Sequence, residues 1–74
     1  MNNNKPDWKD LPLEAEWLCQ DWDGWWKAGT GTPMKAGFIW TSVNGFTSTI
    51  YCGGKNPNWS ETLEYRPQSI GDDK

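Results

Sequence analysis

The stretch EWLCQDWDGWWKA, residues 16–28, decides the fold because an Asp-Gly turn signal separates two segments rich in tryptophan. Asp23-Gly24 favours a two-residue type I′ turn, since both central residues tolerate positive φ. This turn predicts a β-hairpin with Trp22 opposite Trp25, and with side chains that alternate between two faces. The predicted core face holds Trp17, Cys19, Trp26 and Ala28. The opposite, half-polar face holds Leu18, Gln20, Trp22, Trp25 and Lys27.

A second hairpin is predicted over residues 38–52, with its turn at Asn44-Gly45. Asn-Gly between apolar segments is the strongest short-range hairpin signal. Its predicted core face holds Ile39, Val43, Phe46, Ile50 and Cys52. The outer face mixes aromatic and hydroxyl side chains, namely Phe38, Trp40, Ser42, Thr47, Thr49 and Tyr51. The glycine-rich residues 29–33 are expected to form a flexible loop between the two hairpins.

A short helix is predicted near the C-terminus, where Asn58 can act as N-cap and Glu61 lies at the third helical position. Trp59 and Leu63 then share one helical face and are expected to pin the helix to the sheet. A similar pattern over residues 6–10 suggests a second short helical turn. The predicted fold is therefore mainly β, a small four-stranded antiparallel sheet of two hairpins with a short C-terminal helix. Residues 1–6 are expected to be a disordered lead, residues 7–67 a single domain and residues 68–74 a disordered tail.

Tryptophan is the main core material of this chain, with seven residues in 74 and few Leu, Ile or Val. Each buried Trp removes roughly 150–250 Å² from water, which matters because a chain this short is marginally stable. The tryptophans expected to be structural are Trp8, Trp17, Trp26 and Trp59. Those expected on the outer faces are Trp22, Trp25 and Trp40.

Charge and composition exclude several functional classes. The net charge is −3, and residues 24–60 contain three lysines and no acid, so no basic cluster favours nucleic acid. There is no His, and Cys19 and Cys52 are expected to be reduced, small buried hydrophobes, so a zinc or Cys–His site lacks ligands. Asp21 and Asp23 are explained by the turn. We therefore expect a protein that is not an enzyme and has no cofactor.

The location predicted from the sequence is the cytoplasm. No segment approaches the roughly 18 apolar residues that a membrane span needs, and residues 1–7 lack an apolar signal segment.

Two parts of the chain resemble a known group of proteins. Residues 21–26 read Asp-Trp-Asp-Gly-Trp-Trp, and residues 56–67 read NPNWSETLEYRP. Both resemble segments of small Trp-rich proteins encoded by tailed bacteriophages and prophages, and the resemblance covers about residues 7–67. It implies an accessory or host-takeover role in the bacterial cytoplasm, and it transfers no catalytic residue. The threonine-rich second hairpin departs from the pattern.

The outer aromatic faces are the candidate partner-binding surface, since Trp and Tyr edged by polar groups are typical of binding hot spots. The candidate residues are Trp22, Trp25, Lys27, Phe38, Trp40 and Tyr51. The alternative is that the chain ends cover these faces and make a second small core. A homodimer formed through an aromatic face also stays open.

Three functions compete at this point. The first is binding of a host protein, with inhibition of a host enzyme or defence complex. The second is binding of a nucleotide between aromatic rings, with Lys27 or Lys35 contacting phosphate. The third is single-strand nucleic-acid binding, which the net charge and the lone Arg66 disfavour.

Overall fold

Two antiparallel sheets and two short 3₁₀ turns make up the computed structural model, which describes residues 5–67. The strands are β1 (Trp17–Gln20), β2 (Trp25–Gly29), β3 (Thr32–Ala36), β4 (Ile39–Val43), β5 (Thr47–Cys52) and β6 (Glu64–Tyr65). The four-stranded sheet has the order β5-β2-β1-β6, and β3 and β4 form the two-stranded sheet. The mainly β prediction is confirmed. Residues 1–4 and 68–74, which belong to the predicted lead and tail, lie outside the described residues.

The first hairpin forms where predicted, but its loop has three residues rather than two. Asp21 N–H donates to the Trp25 carbonyl at 2.9 Å, and Gly24 N–H donates to the Asp21 carbonyl at 3.0 Å. Gly24 has a φ of +96°, which fits the left-handed position that ends a three-residue hairpin loop. Gln20 therefore lies opposite Trp26, one residue away from the predicted register.

The shifted register changes which side chains share a face, because a slip of one residue moves a whole strand's pattern to the other side. All four residues of β1 are buried, so both faces of the sheet are covered. The first core cluster contains Leu11, Ala15, Leu18, Trp26 and Ala28, with Trp8 and Ile50 against it. The second contains Trp17, Cys19 and Trp40, with Trp59 and Leu63 against it. The predicted single core face was therefore wrong, and its members divide between the two clusters.

The predicted second hairpin was wrong, because β4 pairs with β3 and β5 pairs with β2. The turn of the observed hairpin is Gly37-Phe38, where Gly37 has a φ of +68°, as at the first central position of a type II′ turn. Residues 29–33 are consequently not a loop, since β3 begins at Thr32. Asn44 has positive φ as expected, but its turn leads the chain from one sheet to the edge of the other. A Cβ on Gly45 would collide with the Thr30 backbone, so this glycine allows a close chain crossing.

The inward face of β4 is the opposite of the predicted one. Trp40 is buried. Its backbone is held by one side chain of the β1–β2 loop and one of β2, both from the four-stranded sheet, which we call the central sheet. The Asp21 carboxylate accepts from Trp40 N–H at 2.8 Å, and the Lys27 ammonium donates to the Trp40 carbonyl at 2.7 Å. Asp21 and Lys27 are themselves ion-paired at 3.1 Å. The residues predicted to be core but found exposed are Ile39, Val43, Phe46 and Cys52.

The predicted C-terminal helix is a single 3₁₀ turn, Trp59–Glu61, and the Asn58 side chain makes no capping hydrogen bond to it. The following β6 is too short to be more than an edge strand, and it pairs with β1. Trp59 and Leu63 do pack against the sheet, as expected.

The N-terminal segment is held by the C-terminal one. It contains a 3₁₀ turn, Trp8–Asp10, capped by the Asp7 side chain, as the pattern over residues 6–10 suggested. The Arg66 guanidinium lies 4.8 Å from the Trp8 ring and donates to the carbonyls of Ala15 and Pro12 at 2.7 and 2.8 Å. Trp8 thus anchors this segment over the first core cluster.

Candidate functional site

Two of the six predicted binding residues, Trp22 and Phe38, lie next to each other. The Trp22 and Phe38 rings are 6.0 Å apart between centroids and tilted by 56°. Trp22 N–H also donates to the Phe38 carbonyl at 3.2 Å. Both side chains are exposed, Trp22 at 44% and Phe38 at 69%. Trp22 thus packs against the tip of the β3–β4 hairpin, and not against Trp25 as predicted.

These two rings form part of an open groove of about 380 Å³. We call this the aromatic groove, and its lining residues are Trp22, Phe38, Lys55, Asn56, Pro57 and Trp59. Three parts of the chain build it: the β1–β2 loop, the β3–β4 turn and the segment before the C-terminal 3₁₀ turn. Four groove residues were not predicted, namely Lys55, Asn56, Pro57 and Trp59. Trp59 had been assigned to the predicted helix instead.

A buried glutamine fixes the segment that closes the groove. Gln20 is fully buried, and its amide donates to the carbonyls of Gly24 and Gly54 at 2.9 and 3.0 Å. Its oxygen accepts from the Asn56 amide at 3.2 Å. The Asn56 oxygen in turn accepts from Asn58 N–H at 2.9 Å. Since buried polar groups need such partners, this network holds residues 54–58 in one arrangement beside the β1–β2 loop.

Two lysines lie over the rings of the groove. The Lys55 ammonium is 4.9 Å from the centroid of Trp22, within the range of a cation–π contact. The Lys35 ammonium is 6.0 Å from the rings of both Trp40 and Trp59. Cations therefore border an otherwise aromatic surface.

The other four predicted site residues do not line the groove. Trp40 is buried in the second core cluster, and Lys27 is used in the ion pair with Asp21. The predicted outer position of Trp40 was wrong, since β4 presents its Trp40 face to the sheet. Trp25 and Tyr51 are exposed at 41% and 39%, but they lie outside the groove.

The groove contains little acid–base chemistry, because Lys55 is the one ionisable side chain that lines it. The two thiols also lie elsewhere. Burial raises the pKa of the buried Cys19 thiol above its ordinary range, and the nearby Asp21 carboxylate adds to the effect. Cys52 is exposed, with its Sγ 3.7 Å from the Asp23 carbonyl. The groove offers aromatic rings for stacking and one ammonium group for ion pairing.

Comparison of the chain with protein-family models, with curated proteins and with solved structures gave no match. Across residues 5–67, no helix has the length and apolar character required to cross a membrane.

Proposed function

We propose that this chain is a non-enzymatic binding protein that recognises a partner protein through the aromatic groove. The observation that carries the proposal is the exposed Trp22–Phe38 pair beside Pro57 and Trp59. Tryptophan side chains in such pockets dominate the energetics of many protein interfaces. The hydrogen bonds of Gln20 and Asn56 hold the Lys55–Pro57 side of the groove in place without a ligand, which lowers the entropic cost of binding on that side.

The sequence resemblance supplies the biological setting of this proposal. In a phage accessory protein, the partner would be a host protein of the bacterial cytoplasm, and occupation of the groove would block a host enzyme or defence complex. The support for this setting is the likeness of residues 21–26 and 56–67 to Trp-rich phage proteins. Single-strand nucleic acid is a poorer fit, because the net charge is −3.

A second candidate function is the binding of a nucleotide-sized ligand. It is favoured by the groove volume of about 380 Å³, which falls in the usual range of small-molecule sites. A base could stack on Trp22 or Trp59, and Lys55 could contact a phosphate. The expected signature is quenching of tryptophan fluorescence by a nucleoside triphosphate without any protein partner.

Affinity capture from a bacterial lysate, followed by mass spectrometry and titration of the purified partner, tests the first function. Trp22→Ala and Phe38→Ala should each weaken binding by about tenfold or more, as expected for hot-spot truncation. The matched controls are Phe46→Ala and Tyr65→Ala, which remove exposed rings outside the groove. Equal binding by all four variants would exclude the groove as the contact surface.

A further inference from the structure

The lysines of this chain divide into two groups by their partners. Three of the five described lysines form ion pairs, namely Lys5 with Glu64, Lys9 with Asp7 and Lys27 with Asp21. Within residues 5–67, Lys35 and Lys55 form no ion pair, and both lie over tryptophan rings of the groove region. Among the described lysines, the two without an ion pair therefore both lie beside the exposed aromatic surface, whereas the Arg66 guanidinium lies over Trp8.

We infer that the aromatic groove binds an acidic peptide segment of the partner, with carboxylates that flank one apolar anchor side chain. This inference rests on the proposed function and names the chemistry of its ligand. The anchor packs against Trp22, Phe38 and Trp59, and the carboxylates pair with Lys35 and Lys55.

Charge complementarity supports this ligand at short range. The Lys55 and Lys35 ammonium groups lie 4.9 and 6.0 Å from the Trp22 and Trp59 rings, so their side chains are already partly ordered. Pairing with a lysine that is already held over a ring costs less side-chain entropy than pairing with a lysine that moves freely.

The charge pattern along the chain supports the same ligand at longer range. Residues 24–60 contain no acid, although the whole chain has a net charge of −3. An acidic segment would be attracted by this region and repelled by the rest of the chain, which holds all ten acids and four of the seven basic residues. Such an arrangement gives orientation and specificity to an encounter between two proteins.

The polar groups of the groove favour a peptide over a nucleotide. Recognition of a nucleotide base requires hydrogen-bond donors and acceptors that face the base. The groove lining has one side-chain amide, that of Asn56. That amide already donates to Gln20 and accepts from Asn58. A carboxylate needs an ammonium and nothing more specific. The apolar anchor needs the rings of Trp22 and Trp59 and the ring of Pro57, which the groove supplies.

Selection from a library of random twelve-residue peptides on the immobilised protein tests the inference. The expected result is enrichment of sequences in which Asp or Glu flanks an aromatic, Leu or Pro residue. A synthetic copy of an enriched peptide should lose about tenfold or more in affinity when its acids become amides, and it should bind more weakly at high salt.

Lysine variants assign the effect to the groove. Lys35→Ala and Lys55→Ala should each weaken the enriched peptide roughly two- to fivefold, which is the scale of partly exposed ion pairs. Lys55→Arg should retain binding, and Lys9→Ala, which changes a lysine outside the groove, should have no effect. The inference is overturned if neutral or basic peptides are enriched or if no peptide is enriched. It is also overturned if Lys35→Ala and Lys55→Ala leave the affinity of the enriched peptide unchanged.

The failure of this inference can be told apart from failure of the proposed function. A captured protein that depends on Trp22 but carries no acidic segment at the contact would leave the function standing and remove the ligand chemistry. If a nucleoside triphosphate binds, this binding depends on Lys55, and no peptide is enriched, then both the acidic-peptide ligand and the protein-binding function are wrong. Nucleotide binding would take their place. If no protein, peptide or nucleotide binds in a way that depends on Trp22, both the function and the ligand are wrong.

Discussion

Trp17 and Trp26 lie on adjacent strands, yet they are buried on opposite faces of the central sheet. Trp26 is the largest buried side chain of the first cluster, and Trp17 shares the second cluster with Trp40. The sequence predicted the burial of Trp17 and Trp26 and the exposure of Trp22. It placed Trp40 wrongly on an outer face, because alternation defines two faces of a strand but not which face meets another sheet.

At the residue scale, Trp17→Ala and Trp26→Ala should each lower the free energy of unfolding by about 3–5 kcal/mol, the usual cost of emptying a core site. Trp22→Ala should lower it by about 1 kcal/mol or less, since this ring is 44% exposed. Urea unfolding followed by circular dichroism measures all three. A Trp22→Ala cost as large as that of Trp26→Ala would contradict the assigned environments.

The buried Cys19 should make the stability of the protein depend on pH. Burial raises the pKa of Cys19 in the folded protein. The unfolded thiol has a pKa of about 8.5 and ionises above that pH, whereas the folded thiol stays protonated. The contribution of Cys19 to stability is thus complete below about pH 8.5 and declines as the pH rises above it. Unfolding measured from pH 7.5 to 9.5 should show this decline.

The decline should be reduced in Cys19→Ala and retained in Cys52→Ala, which serves as the matched control. Iodoacetamide should modify the exposed Cys52 in the native protein and Cys19 after unfolding. Modification of Cys19 in native protein at the same rate as Cys52 would show that its site is open.

At the element scale, turn chemistry was readable from the sequence but strand pairing was not. Asp23-Gly24 fits a two-residue and a three-residue loop equally well, since both place Gly24 at positive φ. Asn44-Gly45 does form a turn, but the pairing of the strands beside it depends on contacts distant in sequence. The missed strand β3 contains Pro33, which is tolerated because one edge of β3 has no partner strand among the described residues. Gly37-Phe38 was the overlooked hairpin signal.

Two glycines with positive φ should respond differently to alanine. At Gly24, φ is +96° and a Cβ would lie 2.5 Å from the Gly54 carbonyl carbon. At Gly37, φ is +68° and no atom lies within 4 Å of the added carbon. Gly37→Ala should therefore cost about 1–2 kcal/mol for backbone strain alone.

Gly24→Ala should cost distinctly more than that strain, because the backbone of Gly54 must also move. Thermal and urea unfolding of the two variants give the comparison. Equal losses of stability would mean that the β1–β2 loop and the Gly54 segment are not in close contact.

At the scale of the whole molecule, one sheet is covered from two sides by different parts of the chain. The N-terminal segment, held by Arg66, covers the first core cluster, and the β3–β4 hairpin covers the second with Trp40. Coverage of the aromatic faces by the chain ends was the alternative left open by the sequence, and both ends do contribute, with Trp8 packed against the first cluster and Trp59 and Leu63 against the second. A four-stranded antiparallel sheet was predicted correctly, although its strands differ in part from those expected.

The hairpin should be the less stable of the two layers, since an isolated two-stranded sheet is marginal in water. Amide hydrogen exchange should be slowest in β1 and β2 and faster in β3 and β4. Trp40→Ala should accelerate exchange in β3 and β4 far more than Ile39→Ala, whose side chain points away from the sheet at 41% exposure. Uniform acceleration along the whole chain would show instead that both layers open together.

The aromatic groove spans the boundary between these two layers, because Phe38 belongs to the hairpin and Trp22 to the central sheet. A ligand that contacts both rings binds only the docked form, so its measured affinity includes the docking equilibrium of the hairpin. Saturation with ligand should slow amide exchange in β3 and β4. Trp40 and the Asp21–Lys27 pair, which touch no ligand, would then set how tightly the groove binds. The free energy of docking the hairpin on the central sheet would then be part of the free energy of ligand binding.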